Sequence, residues 1–225
     1  MTEEEKRKVV IPGEVIAKGD DYLPGEGTEK REKEIVAIKY GLIEEQDRLI
    51  KVIPLSGVYI PRRGNVVIGT VENITYYGWV MNIGASENAF IPVSEFPKYI
   101  DNEDLEEVIS IGEVVVAKVL GITKRGIDLT MKSSGLGRVE EGIIIKINSN
   151  KVPRVIGKGG SMINLIKTET NTNITVGQNG IIWIKGSKIE EELLAKKAIV
   201  FVSEKSYIHG LTDKLKEWIE EQKKK

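Results

Sequence analysis

Short apolar runs separated by turn residues set the rhythm of the first 130 positions, and a longer, helical spacing of apolar residues enters only after them. Val9-Val10-Ile11, Val15-Ile16-Ala17, Ile35-Val36-Ala37-Ile38 and Ile50-Lys51-Val52-Ile53 alternate with the turn sequences Pro12-Gly13 and Pro24-Gly25-Glu26-Gly27. This spacing predicts a small antiparallel β unit over residues 1–55. A second set of runs, at 66–71, 78–83, 89–93, 113–120 and 127–131, follows Pro61-Arg62-Arg63-Gly64. Five strands in about 70 residues suit a closed barrel over 56–134 better than an open sheet with two raw edges. The acid-rich stretch 102–109 is the helical or irregular crossover before the fourth of these strands.

The pattern changes at Ser133-Ser134-Gly135-Leu136-Gly137, a turn-rich joint that sets the last boundary and opens a third domain over 137–225. There a strand at 142–147 precedes a short helical stretch at 151–156, which Gly157-Lys158-Gly159-Gly160 breaks. Residues 161–167 resume helical spacing, with Met162, Ile163 and Ile166 on one face. Two strands at 173–176 and 181–184 are joined by Gly177-Gln178-Asn179-Gly180, and helices starting near Ser187 and Thr212 complete the chain. The predicted order is β, α, α, β, β, α with an extra C-terminal helix.

Composition narrows the chemistry. The chain of 225 residues has 33 basic and 34 acidic side chains, no cysteine and one histidine. A disulfide scaffold, a thiolate zinc site and a cysteine nucleophile are excluded, and a histidine-rich metal centre is impossible. No apolar run approaches the roughly 20 residues of a membrane span, and the N-terminus is charged, so the chain reads as soluble and intracellular, with no membrane partner. Charge is uneven: residues 1–55 carry 10 basic and 13 acidic groups, residues 56–136 carry 7 and 10, and residues 137–225 carry 16 and 11. Only the last third is net positive, so binding of a polyanion should concentrate there.

Val155-Ile156-Gly157-Lys158-Gly159-Gly160-Ser161 is the most specific feature. A G-x-x-G turn between two helices places backbone N–H groups at the start of the second helix, beside a surface without side-chain bulk, where a sugar-phosphate backbone can approach. Glycine pairs also end and start helices for backbone reasons alone. A nucleotide-triphosphate loop would need G-x-x-x-x-G-K-[ST], which this spacing does not supply.

This segment resembles the GXXG loop of KH domains, and the order of elements is that of the eukaryotic-type (type I) KH fold. The resemblance implies that Gly157, Lys158, Gly159 and Gly160 hold phosphates of single-stranded RNA, with Lys151 and Arg154 as electrostatic support. The middle domain resembles the S-one type of OB-fold. Gly69-Thr70-Val71, Tyr77-Gly78-Trp79-Val80-Met81-Asn82-Ile83, Phe90-Ile91-Pro92-Val93-Ser94-Glu95 and Ile127-Asp128-Leu129-Thr130-Met131-Lys132 carry the likeness. Such barrels stack bases on exposed aromatics while cations follow the phosphates. Tyr77 and Trp79, two apart, are expected to share one face with Tyr76 on the other, and Arg62, Arg63, Lys124 and Arg125 are the loop cations. Val80 and Pro92 stand where the family commonly has an aromatic and a histidine, and Trp79 and Phe90 can equally belong to the barrel core.

A β domain, an S-one barrel and a KH domain, in that order, with Ile11-Pro12-Gly13-Glu14-Val15 near the start and Gly57-Val58-Tyr59-Ile60-Pro61 entering the barrel, resemble the archaeal exosome RNA-binding cap proteins, counterparts of the eukaryotic ribosomal-RNA-processing protein four. Asn65, where an aspartate is usual, is expected to be a local turn matter. The resemblance implies a non-catalytic cytoplasmic subunit without a cofactor. Three copies would cap a six-membered ring of RNase PH-like subunits, dock through the N-terminal domain and pass single-stranded RNA to the pore. Polynucleotide phosphorylase carries the same two RNA modules in reverse order, after a catalytic region this chain lacks. A free RNA chaperone or translation factor is the remaining alternative. The acids Glu44-Glu45-Asp47 and those of 101–107 read as solvated charged turns without a nuclease motif, and His209, beside Gly210, as a cap or packing residue.

Overall fold

The computed structural model describes residues 8–98, 100, 104–205 and 210–223. His209 and part of the acidic crossover lie outside the described residues. The chain divides into two compact units, Met1–Gly57 and Val58–Lys225.

Among the described residues the first unit has seven short strands: β1 Val9–Val10, β2 Val15–Lys18, β3 Leu23–Pro24, β4 Thr28–Arg31, β5 Glu34–Ala37, β6 Gly41–Gln46 and β7 Leu49–Pro54. They form two sheets, β1-β6-β7-β3 and β2-β5-β4, antiparallel except for the β3–β7 pair. Val10, Ala37 and Val52 are buried between them. Glu44 and Glu45 are strand residues of β6, not turn residues as the charge run implied; only Asp47, with φ 58, sits in the turn to β7. Glu44 faces Lys51 across the strand pair at 2.8 Å, which makes an acid acceptable in the strand.

In the second unit β8 Val66–Thr75, β9 Gly78–Asn82, β10 Ala89–Pro92, β11 Val114–Thr123 and β12 Gly126–Thr130 form the barrel, with helix α1 Leu105–Val108 in the crossover. The order β12-β10-β9-β8-β11 closes through β11–β12, so every barrel strand has a strand neighbour on both sides over at least part of its length. Val67, Val71, Met81, Ile91, Val115 and Leu129, each at an alternate position of its strand, fill the interior. A short β13, Gly137–Arg138, pairs with Val115 and Val116. These two residues, assigned by composition to the third domain, are hydrogen-bonded to the barrel sheet.

The rest follows the predicted order: β14 Ile143–Lys146, α2 Val152–Ile156, α3 Ser161–Thr170, β15 Thr172–Val176, β16 Ile181–Gly186, α4 Ile189–Glu204 and the extra α5 Leu211–Lys223. Ile145, Ile174, Ile182 and Ile184 point from the three-stranded sheet onto Val155, Ile166, Ala198 and Ile199 of the helices. Phe201 of α4 stacks on Trp218 at 4.9 Å and so fastens α5.

The barrel and this domain are joined through the β15–β16 turn. Beyond the end of β9, which reaches β8 only from Thr70 onward, Val66 and Ile68 have no strand beside them on that flank. The turn takes that place. Gln178 N–H donates to Val66 C=O at 2.8 Å, and Val66 N–H donates to Gln178 Oε1. Asn179 Nδ2 donates to Ile68 C=O at 2.7 Å and to Ile83 C=O at 2.8 Å, while its Oδ1 accepts from Ile68 N–H at 3.3 Å. Asn179 is 5% exposed, a buried amide with its capacity spent between two folds.

Candidate nucleic-acid interface

Pro153 at the start of α2 and Gly157 at its end bracket a single helical turn, and Gly157 N–H closes it on Pro153 C=O at 2.9 Å. Gly157, Gly159 and Gly160 have φ of +75, +59 and +82, a run that side-chain-bearing residues rarely adopt. Gly160 is the N-cap of the ten-residue α3 and contributes no side chain, so the first-turn amides of α3 have no acceptor supplied by the cap residue. Lys158 and Gly159 are exposed, as is Arg154 on α2, while Lys151 is half-buried in the preceding 3-10 turn. Amides, a helix N-terminus and cations thus converge on one open loop, an arrangement suited to a phosphodiester backbone. The positions expected for Gly157, Lys158, Gly159, Gly160, Lys151 and Arg154 are together here.

The barrel differs from expectation in one respect. Trp79 is fully buried, and its Nε1–H donates to Ile109 C=O at 3.0 Å and to Leu105 C=O at 3.3 Å, holding α1 against the barrel. It is a core residue and cannot stack on a base. Tyr76 and Tyr77 both lie in the β8–β9 turn, 64% and 73% exposed, in edge contact at 5.4 Å. Phe90 is the aromatic that points outward from the strand face, opposite Val80 and beside Asp128, half-buried and outside the core. Sequence parity alone could not single it out.

The Lys124-Arg125 turn is exposed and opens β12 beside Asn88, whose C=O accepts from Ile127 N–H. Tyr77 stands at the other end of the β9–β10–β12 face, beyond the Gly78–Pro92 pair. An aromatic turn and a cationic turn therefore flank the surface carrying Val80, Asn82, Phe90, Pro92 and Asp128. Arg62 and Arg63 are exposed on a turn organised by Asn65, whose Oδ1 accepts from Tyr59 O–H at 2.9 Å and Arg62 N–H at 3.2 Å. Asn65 is a turn residue, as expected. Burial pushes the Tyr59 phenol up to about 12, opposed in part by the Arg62 backbone N–H. Among the described residues no three acidic or imidazole side chains gather as a metal site would, and no helix is long and apolar enough to cross a membrane.

Three family models match in succession: Exosome complex exonuclease RRP4 N-terminal region over residues 9–44, S1 RNA binding domain over 60–132 and KH domain over 142–200. The Exosome complex component Rrp4 of Pyrococcus furiosus is 41% identical over 218 residues, 94% of this chain and 82% of that one. The chain belongs to the Rrp4 family. Exosome complex component Rrp4 of Methanothermus fervidus is 39% identical over 217 residues, covering 95% of this chain and 96% of its own, and that of Methanothermobacter thermautotrophicus is 38% identical over 217 residues, covering 96% and 68%. A crystal structure provisionally described as an exosome complex RNA-binding protein superposes with TM-score 0.68 at 32% identity, covering 75% of this chain and 98% of that one. The Rrp4 family accounts for the S1 barrel and the KH fold standing in this order.

Proposed function

We propose that this Rrp4-family chain is a non-catalytic, cytoplasmic cap subunit that recruits single-stranded RNA to the pore of an RNase PH-like exosome ring, three copies on six ring subunits. The observation that carries the reading is the open Gly157–Gly160 loop at the start of α3, with Lys158 and Arg154 beside it. RNA contact is assigned to residues 137–225 and 56–134. Within them the assigned positions are Gly157, Lys158, Gly159, Gly160, Lys151 and Arg154 in the KH domain, and Tyr77, Arg62, Arg63, Lys124 and Arg125 in the barrel; Phe90 replaces Trp79 as a stacking surface. Ring docking is assigned to residues 1–55. Val9, Leu42 and Ile53 stand in one row across β1, β6 and β7, with Val9 and Ile53 exposed, and Ile11, Leu23 and Ile38 are exposed nearby in sequence. So much apolar surface on a unit this small supports a covered face in an assembly. Bond cleavage belongs to the ring.

Mixing the purified chain with ring subunits tests this. Co-elution as a large assembly, with more RNA retained and degraded than by either component alone, is expected. A chain that binds RNA but never joins the ring is a free chaperone, and a chain that degrades RNA unaided refutes the non-catalytic assignment.

A further inference from the structure

On the far side of the KH sheet from its helices, the sheet and the barrel wall form a cleft of about 850 Å³ whose charged lining is Glu113, Arg138, Glu140, Glu141 and Lys185, with Asn173, Thr175 and Trp183 on the sheet. That volume is in the range of small-ligand sites. We infer that this cleft takes an unstacked base of single-stranded RNA on the indole of Trp183, with the adjoining phosphates at Arg138 and Lys185. The inference rests on the RNA-binding reading above and adds a site apart from the glycine loop.

The sheet's alternation produces the platform. Ile182 and Ile184 are buried against the helices, so Trp183 between them faces away, in one row with Ile144 on β14 and Thr175 on β15. Asn173 and Lys185 form the next row. Gly142 makes the indole's position possible, because a Cβ there would lie 2.7 Å from Trp183 Nε1. That nitrogen is buried without a partner. The ring therefore offers the cleft carbon surface, which is what stacking uses, and base edges would find the amide of Asn173 and the hydroxyl of Thr175. Sheet surfaces carrying an aromatic are an established way of holding splayed-out bases.

The charges limit the ligand. Arg138 Nη1 lies 3.1 Å from Glu113 and Lys185 Nζ 3.6 Å from Glu141, with Arg138 about half exposed and Glu141 almost fully so. Such exposed pairs exchange readily for a phosphate. With Glu113, Glu140 and Glu141 against Arg138 and Lys185 the lining is net negative, which excludes a free triphosphate and leaves stacking on Trp183 as the main contact, the two cations meeting one phosphate each only by exchange from their carboxylate partners.

The test uses the full chain and a 4-thiouridine-substituted single-stranded oligonucleotide, with adducts mapped by mass spectrometry and affinity read by fluorescence anisotropy. An adduct on the peptide containing Trp183 is expected. Trp183→Leu should weaken binding on the order of tenfold, Trp183→Phe should restore most of it, and Lys185→Glu should weaken it several-fold with an unchanged melting midpoint. If the oligonucleotide binds and Gly159→Asp weakens it, while no adduct forms at Trp183 and both Trp183→Leu and Lys185→Glu bind as wild type, the cleft proposal is overturned and the loop reading stands. If the wild-type chain does not bind the oligonucleotide at all, both fall together.

Discussion

Replacing Asn179 should unlock the barrel from the KH domain. In Asn179→Ala the C=O groups of Ile68 and Ile83 and the N–H of Ile68 lose their partner at once. A stranded buried group costs about 1–3 kcal/mol, and a water entering the vacated space takes up part of that, so a total of roughly 3–5 kcal/mol is expected. This is a large share of the ~5–15 kcal/mol that holds a typical domain folded. Asn179→Asp sharpens the test, because it keeps the shape but turns a carboxylate oxygen toward two carbonyls. Burial without a cation raises its folded pKa above the ~3.9 of the unfolded chain. The protonated form is then the one the fold tolerates. Stability of this variant relative to wild type should therefore be highest below pH ~4 and fall by up to ~1.4 kcal/mol per pH unit until the folded pKa is passed. Urea unfolding followed by tryptophan emission reports on both sides, since Trp79 is in the barrel and Trp183 and Trp218 are in the KH domain. Hydrogen exchange at the Ile68 amide reports on the contact itself. An alanine variant within about 1 kcal/mol of wild type, together with an aspartate variant that shows no added pH slope, would refute the lock.

Further outcomes are expected at the glycine loop, at the barrel aromatics and at Tyr59. Gly159→Asp should still fold, because nothing lies within 4 Å of a Cβ there and aspartate bears the left-handed backbone at a cost of roughly 1–2 kcal/mol, and should lower RNA affinity by setting a carboxylate against phosphates. Gly157→Asp is a poor probe of the same loop, since its Cβ would lie 2.7 Å from Met162 N, and thermal melting should show a destabilised protein. Trp79→Phe should cost about 2–4 kcal/mol in chemical denaturation and leave the RNA affinity of the folded protein unchanged, whereas Tyr77→Ala should do the reverse, losing about 1–3 kcal/mol of binding in anisotropy titrations. Because the folded pKa of Tyr59 is raised, its contribution is fully present below pH ~10 and is lost as pH rises toward about 12. Tyr59→Phe should remove that alkaline loss, roughly 1.4 kcal/mol for each pH unit above ~10 and so at most roughly 1.4 kcal/mol by pH 11, as seen by comparing denaturation midpoints of the two proteins between pH 9 and pH 11.

The barrel strands were legible because each has one face in the core, so alternation survives in the letters Val67, Val71, Met81, Ile91 and Leu129. Polar β4, Thr28-Glu29-Lys30-Arg31, carries no such signal; three of its four residues are exposed, and Thr28 is held by hydrogen bonds to Gly25 and Ile50 C=O. The parity argument that put Tyr77 and Trp79 on one face fails for a local reason. It is valid within a strand, and Tyr77 belongs to the turn before β9 begins at Gly78. The glycine loop was readable because its conformation demands its residues. Asn179 was not, because an asparagine in a turn looks the same whether it caps its own backbone or reaches strands 96 and 111 positions away.

That reach along the chain bears on how the protein is made. The barrel's own strands are complete by Thr130, but the flank of β8 at Val66 and Ile68 waits for residues 178 and 179 before its last amides are covered. At ribosomal speeds of about 5–20 residues per second, the interval from residue 130 is several seconds. During it, a nascent edge stands open to any extended segment nearby. A stop or truncation placed after the barrel would make that interval permanent, leaving a fragment with a free pairing flank and a tendency to aggregate.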